Sequence, residues 1–366
     1  MLDIWYTKSP IITGQSIITE HVIELFKDRI KNKFILIPEF NIKSTCTWIV
    51  KSLRLLVYSL ILKDPVPLYI VPSRSKYGFI RDLPAYSSIL LGKRIIAHVH
   101  GSDILNLLND PVLGIFARWF YRRIYVIVPS EHLLPSMLQL GILNIEICEN
   151  FVSDHWLHTI NSRNNIIAHK PNEKIVILWN SNIIYSKGFF VLAECIKNLV
   201  DRGHYLEFHV FGEIIGDEYI SKADCNKKLQ HLTQMDWMKL HGAMDSSHIA
   251  MVAKSSHILC LPSFYTSECQ PLALIEGMCV GLEIVINDTE ALKATVGKYP
   301  NYIFKKPKLE LIELELIKCI NNINTNQTVT TEQVIIAQQR FSKVRFEIEI
   351  EALLFSKELT YFSHRL

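Results

Sequence analysis

The sequence predicts an α/β protein with two Rossmann-like domains, each a parallel β-sheet with helices on both faces. Three observations predict this fold class. A chain of 366 residues is long enough for about two domains. Short apolar segments alternate with helical patterns along most of the chain, and this alternation restarts after a polar stretch near residue 160. We expect the two sheets to face a central cleft.

Short apolar segments bounded by polar residues have the composition of buried strands. The first half contains six of them, at residues 2–6, 34–37, 67–72, 94–99, 124–128 and 145–148. The second half contains five, at residues 174–179, 205–211, 238–240, 257–261 and 283–286. The sequence therefore predicts a domain over 1–158, a linker over 159–173 and a second domain over 174–340. We expect residues 341–366 to form a helical segment that packs back on the first domain.

The composition excludes several classes of protein. Apolar residues make up 49% of the chain and charged residues 20%, which is typical of a globular protein. The net charge of +3 is too small to indicate a nucleic-acid partner, although the positive excess lies within residues 1–150. The eight cysteines form no Cys-x-x-Cys pair, so no zinc ribbon or redox motif is indicated. No Gly-x-Gly-x-x-Gly follows an early strand, which disfavours a nicotinamide dehydrogenase.

The apolar segments also indicate where in the cell the protein is located. The N-terminus has no basic leader followed by a long apolar region, so no secretory signal is evident. The longest apolar stretch, residues 53–62, is about half of what a membrane-spanning helix needs. We expect a cytoplasmic protein without a transmembrane helix, located in part at the inner face of the cell membrane.

Glu268 and Glu276 are the most informative residues of the chain. They lie within 262–278, PSFYTSECQPLALIEGM, between the strand at 257–261 and an apolar helix that ends at Gly281. Pro271 is suited to be the first residue of that helix. A helix N-terminus at the carboxyl edge of a parallel sheet suits a phosphate, and carboxylates accept hydrogen bonds from sugar hydroxyls. The alternative is a pair of solvated surface glutamates.

This frame resembles the donor-site signature of GT-B glycosyltransferases, in particular the retaining group called family 4. The resemblance implies that Glu268 contacts hydroxyls of the transferred sugar and that Glu276 holds the nucleotide ribose. It also implies that the backbone of residues 269–272 approaches the sugar and the phosphates. The family usually has Gly-Phe-Pro after the first Glu, whereas this chain has Cys269, Gln270 and Pro271, followed by Leu272. This departure bears on the choice of donor.

Lys187 follows the strand that ends at residue 179 and precedes a helix with apolar residues at helical spacing. Its ammonium and the helix N-terminus can both face a diphosphate, although an ordinary surface lysine before a glycine is the alternative. In the resembled family this loop also carries an Arg five residues earlier. Here that residue is Asn182, which leaves one cation fewer for the phosphates.

Three further residues resemble parts of the family's donor site. Gly212 ends a strand and permits a close backbone approach. His241 precedes a turn that faces the nucleoside base in the family, although it is equally suited to be an ordinary strand residue. Gly14 lies in a segment that resembles the loop closing over the diphosphate and acceptor, where either that role or a simple turn explains a glycine.

The first domain carries the candidates for acceptor binding. His100 ends a strand and matches the family histidine that projects toward the transferred sugar, with His98 on the same face as the alternative. Ser102 or Asp103 is available as the N-cap of the next helix, and Asp103 is also a candidate for acceptor binding. Arg81 is suited to bind an acceptor phosphate or to pair with Asp82 or another neighbouring carboxylate.

Two helical segments combine apolar or aromatic residues with cations. Residues 113–124 contain Phe116, Trp119 and Arg118, and residues 48–62 contain Lys51 and Arg54. Such helices suit an anionic membrane interface. Core packing with a solvated basic edge is the alternative for each helix.

The resemblance implies a retaining transfer of a sugar from a nucleoside diphosphate sugar to a glycan or lipid-linked glycan, in cell-envelope polysaccharide or lipopolysaccharide biosynthesis. We expect catalysis by His100, Lys187 and Glu268, without a cofactor or metal, because cations and helix N-termini can stabilise the departing diphosphate. Two rivals remain, a phosphorylase with a similar architecture and a catalytically degenerate GT-B module that binds a sugar or a partner.

Overall fold

The computed structural model describes residues 1–9, 11–37, 42–61, 66–161 and 173–356. The chain divides into two compact units, unit 1 with residues 1–150 and 346–366, and unit 2 with residues 151–345. Residues 151–158, which the sequence assigns to the first domain, lie in unit 2, where Trp156 is part of the core. The predicted linker at 159–173 falls mostly outside the described residues.

The core of unit 1 is a sheet of six parallel strands in the order β2-β1-β3-β4-β5-β6. Sheets with this pattern bury both faces of their inner strands, which explains why the four inner strands are nearly continuous apolar runs, whereas the two edge strands also carry polar residues. All six lie where the sequence predicts a strand. Their bounds are β1 Leu2–Thr7, β2 Ile30–Leu36, β3 Leu68–Ile70, β4 Ile95–His98, β5 Tyr125–Val128 and β6 Ile145–Ile147.

Helices connect these strands. They are α1 Gly14–Leu25, α2 Ile42–Ile61, α3 Lys76–Ser87, α4 Ile104–Leu108, α5 Leu113–Tyr121 and α6 Leu134–Gln139. Within the described residues no helix combines the length and the apolar character needed to cross a bilayer.

The last helix, α15 Lys343–Phe355, belongs to unit 1 from Phe346 onward. Glu351 accepts a hydrogen bond from Arg29 at 2.5 Å. The guanidinium of Arg29 also lies 3.4 Å from the ring centroid of Phe355, and that ring packs edge-on against Phe26. Aromatic and ionic contacts therefore attach the C-terminal helix to residues near the start of the chain.

Unit 2 contains a second parallel sheet of six strands, in the order β12-β11-β10-β7-β8-β9. Five of the strands are predicted by the sequence. No strand is predicted for the sixth, β12, which is a four-residue edge strand with only its last residue buried. The bounds are β7 Ile175–Asn180, β8 Leu206–Phe211, β9 Met238–Gly242, β10 Ile258–Leu261, β11 Glu283–Asn287 and β12 Asn301–Phe304.

The helices of unit 2 are α7 Asp154–Asn161, α8 Phe189–Asp201, α9 Lys222–Leu232, α10 Ser246–Ser255, α11 Leu272–Val280, α12 Glu290–Val296, α13 Leu309–Asn324 and α14 Thr331–Arg340. Helix α11 is apolar nearly all round because it is buried on most sides. It ends as predicted at Gly281, which has φ of 89°. Pro271 is the extended N-cap and not the first helical residue, since its ψ is 123°.

Candidate functional site

The predicted site residues of unit 2 gather at the carboxyl edge of its sheet. Strands β10, β7, β8 and β9 are consecutive neighbours in the sheet and run parallel. Their carboxyl ends lead into the segments 262–271, 181–188, 212–221 and 243–245. Because open α/β sheets bind ligands beyond the carboxyl ends of their strands, these segments define the candidate site.

Lys187 and Glu268 lie together at this edge. The Nζ of Lys187 is 3.6 Å from Oε1 of Glu268, and the two side chains are only 15% and 12% exposed. Lys187 also donates to Oγ of Ser181 at 2.9 Å, and Ser263 donates to Oε2 of Glu268 at 3.0 Å. Both charged groups are thus held in defined positions by neighbouring hydroxyls.

Glu276 lies in the middle of α11 and faces the end of β7. Its Oε2 accepts a hydrogen bond from Nδ2 of Asn180, the last residue of that strand. Burial raises the pKa of Glu276 to about 8, and the hydrogen bond from Asn180 opposes this only in part. This shift favours the protonated form of the carboxyl until a further donor stabilises its charge.

Asn182 holds two segments of this edge together. Its Oδ1 accepts from the backbone N–H of Glu213 at 3.1 Å, next to a parallel bridge between Ile183 and Ile214. Gly212 lies beside this contact with φ of 120°, and a Cβ there would come within 2.2 Å of the carbonyl oxygen of Ser181. The close backbone approach expected at Gly212 is therefore made to the Lys187 loop itself.

His241 is part of a hydrogen-bonded chain across β8 and β9. Its Nε2 lies 3.0 Å from Nδ1 of His209, whose Nε2 lies 2.7 Å from Glu207. Lys174 donates to the other oxygen of Glu207 at 2.7 Å. The His241 ring also stacks on Phe211, at 4.3 Å and 8° between planes. Burial, with His209 as a smaller cause, lowers the pKa of His241, which favours a neutral imidazole with one acceptor nitrogen.

The residues that depart from the family pattern are enclosed by the protein. Cys269 and Gln270 are 2% and 6% exposed, and Pro271 is buried as the N-cap of α11. Leu272, the first residue of the helix, is partly buried against the core of unit 2. A polar side chain at residue 270 beside the sugar stays a prediction. Among the described residues, no three His, Cys, Asp or Glu side chains come together as metal ligands.

Comparison with known proteins adds to this geometry. Residues 162–332 match the family model described as "Glycosyl transferases group 1". This region contains every site residue described so far in this section, and the match supports the prediction of a glycosyltransferase enzyme. Among curated proteins, none matches the sequence significantly.

Solved structures resemble the chain over nearly its whole length. HepE of Anabaena, in complex with UDP-glucose, has a TM-score of 0.71 at 13% identity and covers 97% of this chain and 99% of its own. Sucrose-phosphate synthase from Thermosynechococcus elongatus has a TM-score of 0.69 at 11% identity, with 96% and 98% covered. The lipopolysaccharide outer core galactosyltransferase WaaB has a TM-score of 0.63 at 15% identity, with 98% and 100% covered.

The fold is GT-B. The two parallel six-stranded sheets with flanking helices match these neighbours and confirm the predicted fold class.

In unit 1 of this GT-B protein, His98 and His100 lie side by side with ring centroids 4.0 Å apart. His98 is fully buried and bonds through Nδ1 to the hydroxyl of Tyr69 at 2.8 Å, so it is a core residue and the alternative role for it is wrong. His100 keeps some exposure. Burial lowers the pKa of His98 to about 3 and that of His100 well below the usual value, so both rings are neutral.

The expected cap at the start of α4 is absent. Asp103 has the N-cap position but its side chain makes no capping hydrogen bond. It pairs instead with Nε of Arg74 at 2.8 Å, while Oγ of Ser102 lies 2.8 Å from Nε2 of His132. Both side chains therefore have partners outside the helix start, and capping by either is wrong.

The structure bears on two further expectations in unit 1. Arg81 lies 3.9 Å from Asp82 and donates to Oγ of Ser73, which agrees with the internal pairing left open by the sequence. Gly14 is the first residue of α1 and is not among the glycines with positive φ. Thr13 and Ser16 form a capping box around it, so this glycine begins a helix and supplies no special backbone freedom.

Sequence reasoning missed three residues that contact the site directly. Ser181 and Ser263 position Lys187 and Glu268, and Asn180 contacts Glu276. Each is a small polar residue directly or shortly after a buried strand, which is the only signal the sequence offers. The partner of Asn180 is distant along the chain, whereas Ser181 and Ser263 contact residues six and five positions away. Spacing alone does not distinguish these local contacts from those of ordinary turn residues.

Proposed function

We propose that this protein is a retaining glycosyltransferase that transfers a sugar from a nucleoside diphosphate sugar to a glycan or lipid-linked glycan. One observation carries the proposal. Lys187 and Glu268 form a shielded pair beside the N-terminus of α11, within the region that matches the glycosyl transferase model. A cation, a carboxylate and free helix N–H groups are the groups needed to bind a diphosphate and an adjoining sugar.

Each residue has a distinct task in this proposal. Lys187 and the N–H groups at the start of α11 stabilise the negative charge that develops on the departing diphosphate. Glu268 accepts hydrogen bonds from hydroxyls of the transferred sugar and orients it. Glu276 accepts hydrogen bonds from the ribose hydroxyls, which stabilise its ionised form. From unit 1 we propose His100 as the group near the reacting sugar, with Arg81 and Asp103 on the acceptor.

The reaction breaks the bond between the sugar and the diphosphate and forms a bond from the same face to an acceptor hydroxyl. The proton of that hydroxyl leaves with the diphosphate oxygen, so the products are a glycoside and a nucleoside diphosphate. Retention and the absence of a required metal rest on the resemblance to family 4.

The donor and acceptor classes are drawn from the structural neighbours. HepE is seen with UDP-glucose and WaaB is a lipopolysaccharide galactosyltransferase. We therefore propose a uridine diphosphate hexose as donor and a cell-envelope polysaccharide or lipopolysaccharide precursor as acceptor. His241, at the end of β9, is the proposed contact for the base.

A thermal-shift panel with UDP, GDP, ADP and their common sugars tests donor binding. A ligand at about a hundred times its dissociation constant stabilises the folded state by roughly 2.7 kcal/mol, which moves the transition by a few degrees. We expect UDP and one UDP-hexose to shift it. The donor that shifts it is then incubated with lipid-linked glycans, and the product anomer is determined by NMR.

Several results would reject parts of the proposal. An inverted anomer contradicts retention. Binding without turnover on any acceptor supports the catalytically degenerate module instead, for which the loss of a cation at Asn182 is the best support. No shift with any nucleotide rejects donor binding at this site.

A further inference from the structure

Helix α2 of unit 1 exposes many of its large aliphatic side chains, although Leu55 is buried. Its large aliphatic residues Ile49, Val50, Leu53, Val57 and Leu60 are 44% to 64% exposed. The residues turned toward the core include Ser52 and Ser59, at 7% and 3%. The exposed residues recur at helical spacing and form one stripe along the helix. Packing within the unit therefore does not explain the apolar character of this face.

Helix α5 repeats this arrangement. Ile115 and Phe116 are 59% and 58% exposed, whereas the small residues Gly114 and Ala117 face the core. Core packing, the alternative for this segment, describes its inner face, where Phe120 and Tyr121 are buried, but does not account for Ile115 and Phe116. Ile115, Phe116 and Trp119 line a surface cavity of about 560 Å³, together with Phe120, Arg118 and Arg122.

The two helices belong to one layer. Helix α3 packs against both α2 and α5, and the indole of Trp48 in α2 donates to the carbonyl oxygen of Arg81 in α3 at 2.7 Å. Between the two outer helices, α3 exposes Tyr77 and Ile80. We call the exposed side chains of α2, α3 and α5 the apolar surface of unit 1. Monomeric soluble proteins rarely expose so many large apolar residues in one region, and such regions mark interaction sites.

Cations without carboxylate partners accompany this surface. Lys51, Arg118, Arg122 and Arg123 donate to backbone carbonyl oxygens, and Arg54 contacts the amide of Asn32 and the ring of Tyr58. Residues 42–61 and 112–123 contain no Asp or Glu. Among the described residues no carboxylate lies within ion-pair distance of these five cations, so their charge is not compensated.

We propose that unit 1 binds an anionic membrane surface through this apolar surface. Apolar and aromatic side chains on a face flanked by cations enter the boundary between headgroups and acyl chains, while the cations contact lipid phosphates. A second copy of the chain is disfavoured as the occupant, because a two-fold interface would place these cations against one another. The inference goes beyond the proposed sugar transfer, since membrane binding needs neither donor nor acceptor.

Co-sedimentation of the full chain with vesicles tests the proposal. One set of vesicles contains phosphatidylcholine alone and the other adds phosphatidylglycerol. We expect binding to the anionic vesicles, little binding to the neutral ones, and a decrease with added salt. Arg122→Gln with Arg123→Gln should weaken binding about thirtyfold, because each cation near an anionic surface contributes roughly a factor of five.

The apolar contribution is tested by variants that leave the core untouched. Leu53→Glu with Val57→Glu in α2, and Phe116→Glu in α5, should each weaken binding at least tenfold. Ile336→Glu is the matched control, since Ile336 is a comparably exposed aliphatic residue of unit 2. The control should bind as the parent does, and all variants should keep the parent's thermal transition.

Several outcomes overturn the proposal. They are no binding of the parent to anionic vesicles, equal binding to neutral vesicles, and unchanged binding of the α2 and α5 variants. A concentration-dependent dimer that Leu53→Glu abolishes would assign the surface to a second copy. Because the assay contains no sugar nucleotide, its result is independent of whether the proposed transfer is correct.

Discussion

The ammonium of Lys187 lies 3.6 Å from a carboxylate oxygen of Glu268 although the two residues follow different strands, β7 and β10. The pair joins two loops that are neighbours only because these strands pair in the sheet. Each member has a second, neutral partner, Ser181 or Ser263. If a diphosphate binds Lys187 in place of Glu268, Ser263 still holds Glu268 in position, and Glu268 can accept hydrogen bonds from sugar hydroxyls.

Replacing Lys187 by Met is expected to lower kcat/KM for the donor about 10²-fold to 10³-fold, because it removes a preorganised cation from the charge of the leaving diphosphate. The measurement is initial-rate kinetics with the nucleotide sugar found by thermal shift. Lys197→Met is the control, since the Lys197 side chain on α8 is 42% exposed and forms its ion pair with Asp201, four residues away. Equal rates for both variants would contradict the role of Lys187.

Glu276→Gln is expected to change how stability depends on pH. The folded-state pKa of about 8 is above the reference value of 4.5. Between these values the native state binds more protons than the unfolded state, so the stability of the parent falls as pH rises through this window. The variant has no carboxyl at residue 276 to titrate. Its stability relative to the parent should rise by a few kcal/mol from pH 4.5 to 8.

Urea unfolding of parent and variant at several pH values across that window measures this difference. A constant difference between the two proteins would show that Glu276 is ionised in the free protein. Glu24→Gln is a control at an exposed carboxylate, for which no comparable rise is expected.

Nucleotide binding should release protons near neutral pH. In the proposed complex, ribose hydroxyls donate to Glu276 and favour its carboxylate form, whereas burial in the free protein raises the pKa of this carboxyl and favours the protonated form. Calorimetry of UDP binding at pH 7 in two buffers of different ionisation enthalpy should show release of up to about one proton. The release should disappear in Glu276→Gln. Equal proton release by parent and variant would show that the proton comes from a group other than Glu276.

Gly212→Ala is expected to destabilise unit 2 and weaken nucleotide binding. The new Cβ would lie 2.2 Å from the carbonyl oxygen of Ser181, so the loop that carries Lys187 must move. Gly203→Ala is the control, because Gly203 also has positive φ but open space around its Cβ. In both variants backbone strain should lower the free energy of unfolding by about 1–3 kcal/mol. Only Gly212→Ala should lose more stability than this and show a smaller shift of the thermal transition with UDP.

Asp3→Asn is expected to destabilise unit 1 by about 3–5 kcal/mol, because it leaves the Lys93 ammonium buried without a charged partner. Nζ of Lys93 lies 2.7 Å from Oδ2 of Asp3, and both side chains are essentially unexposed. Adding Lys93→Met should recover part of the loss. Urea unfolding measures both. A double variant no more stable than the single one would contradict the explanation.

The strands were predictable because a strand of a covered parallel sheet is an apolar run, which is a local property. Eleven strands were found in this way, whereas the half-exposed β12 was not. The positions of Lys187, Glu268 and Glu276 on loops and helix were predictable for the same reason. Their proximity follows from the order of strands in the sheet, which local patterns do not contain.

The misplaced side chains share a cause. Asp103 was expected to cap a helix and pairs with Arg74 instead, and Gly14 begins a helix held by Thr13 and Ser16. In each case the residue type has several uses, and the sequence left more than one of them open. A contact from another element, or a capping pair, decided between these uses.

The amino-acid pattern was sufficient for the α/β class, the two sheets and the residues that follow their strands, because these depend on hydrophobic periodicity and local turn chemistry. Only the folded chain shows that Asn180 contacts Glu276, that burial raises the pKa of that carboxyl, and that α2 turns several large aliphatic residues to solvent. Burial and long-range contact depend on which elements pack together, and that is a property of the whole fold.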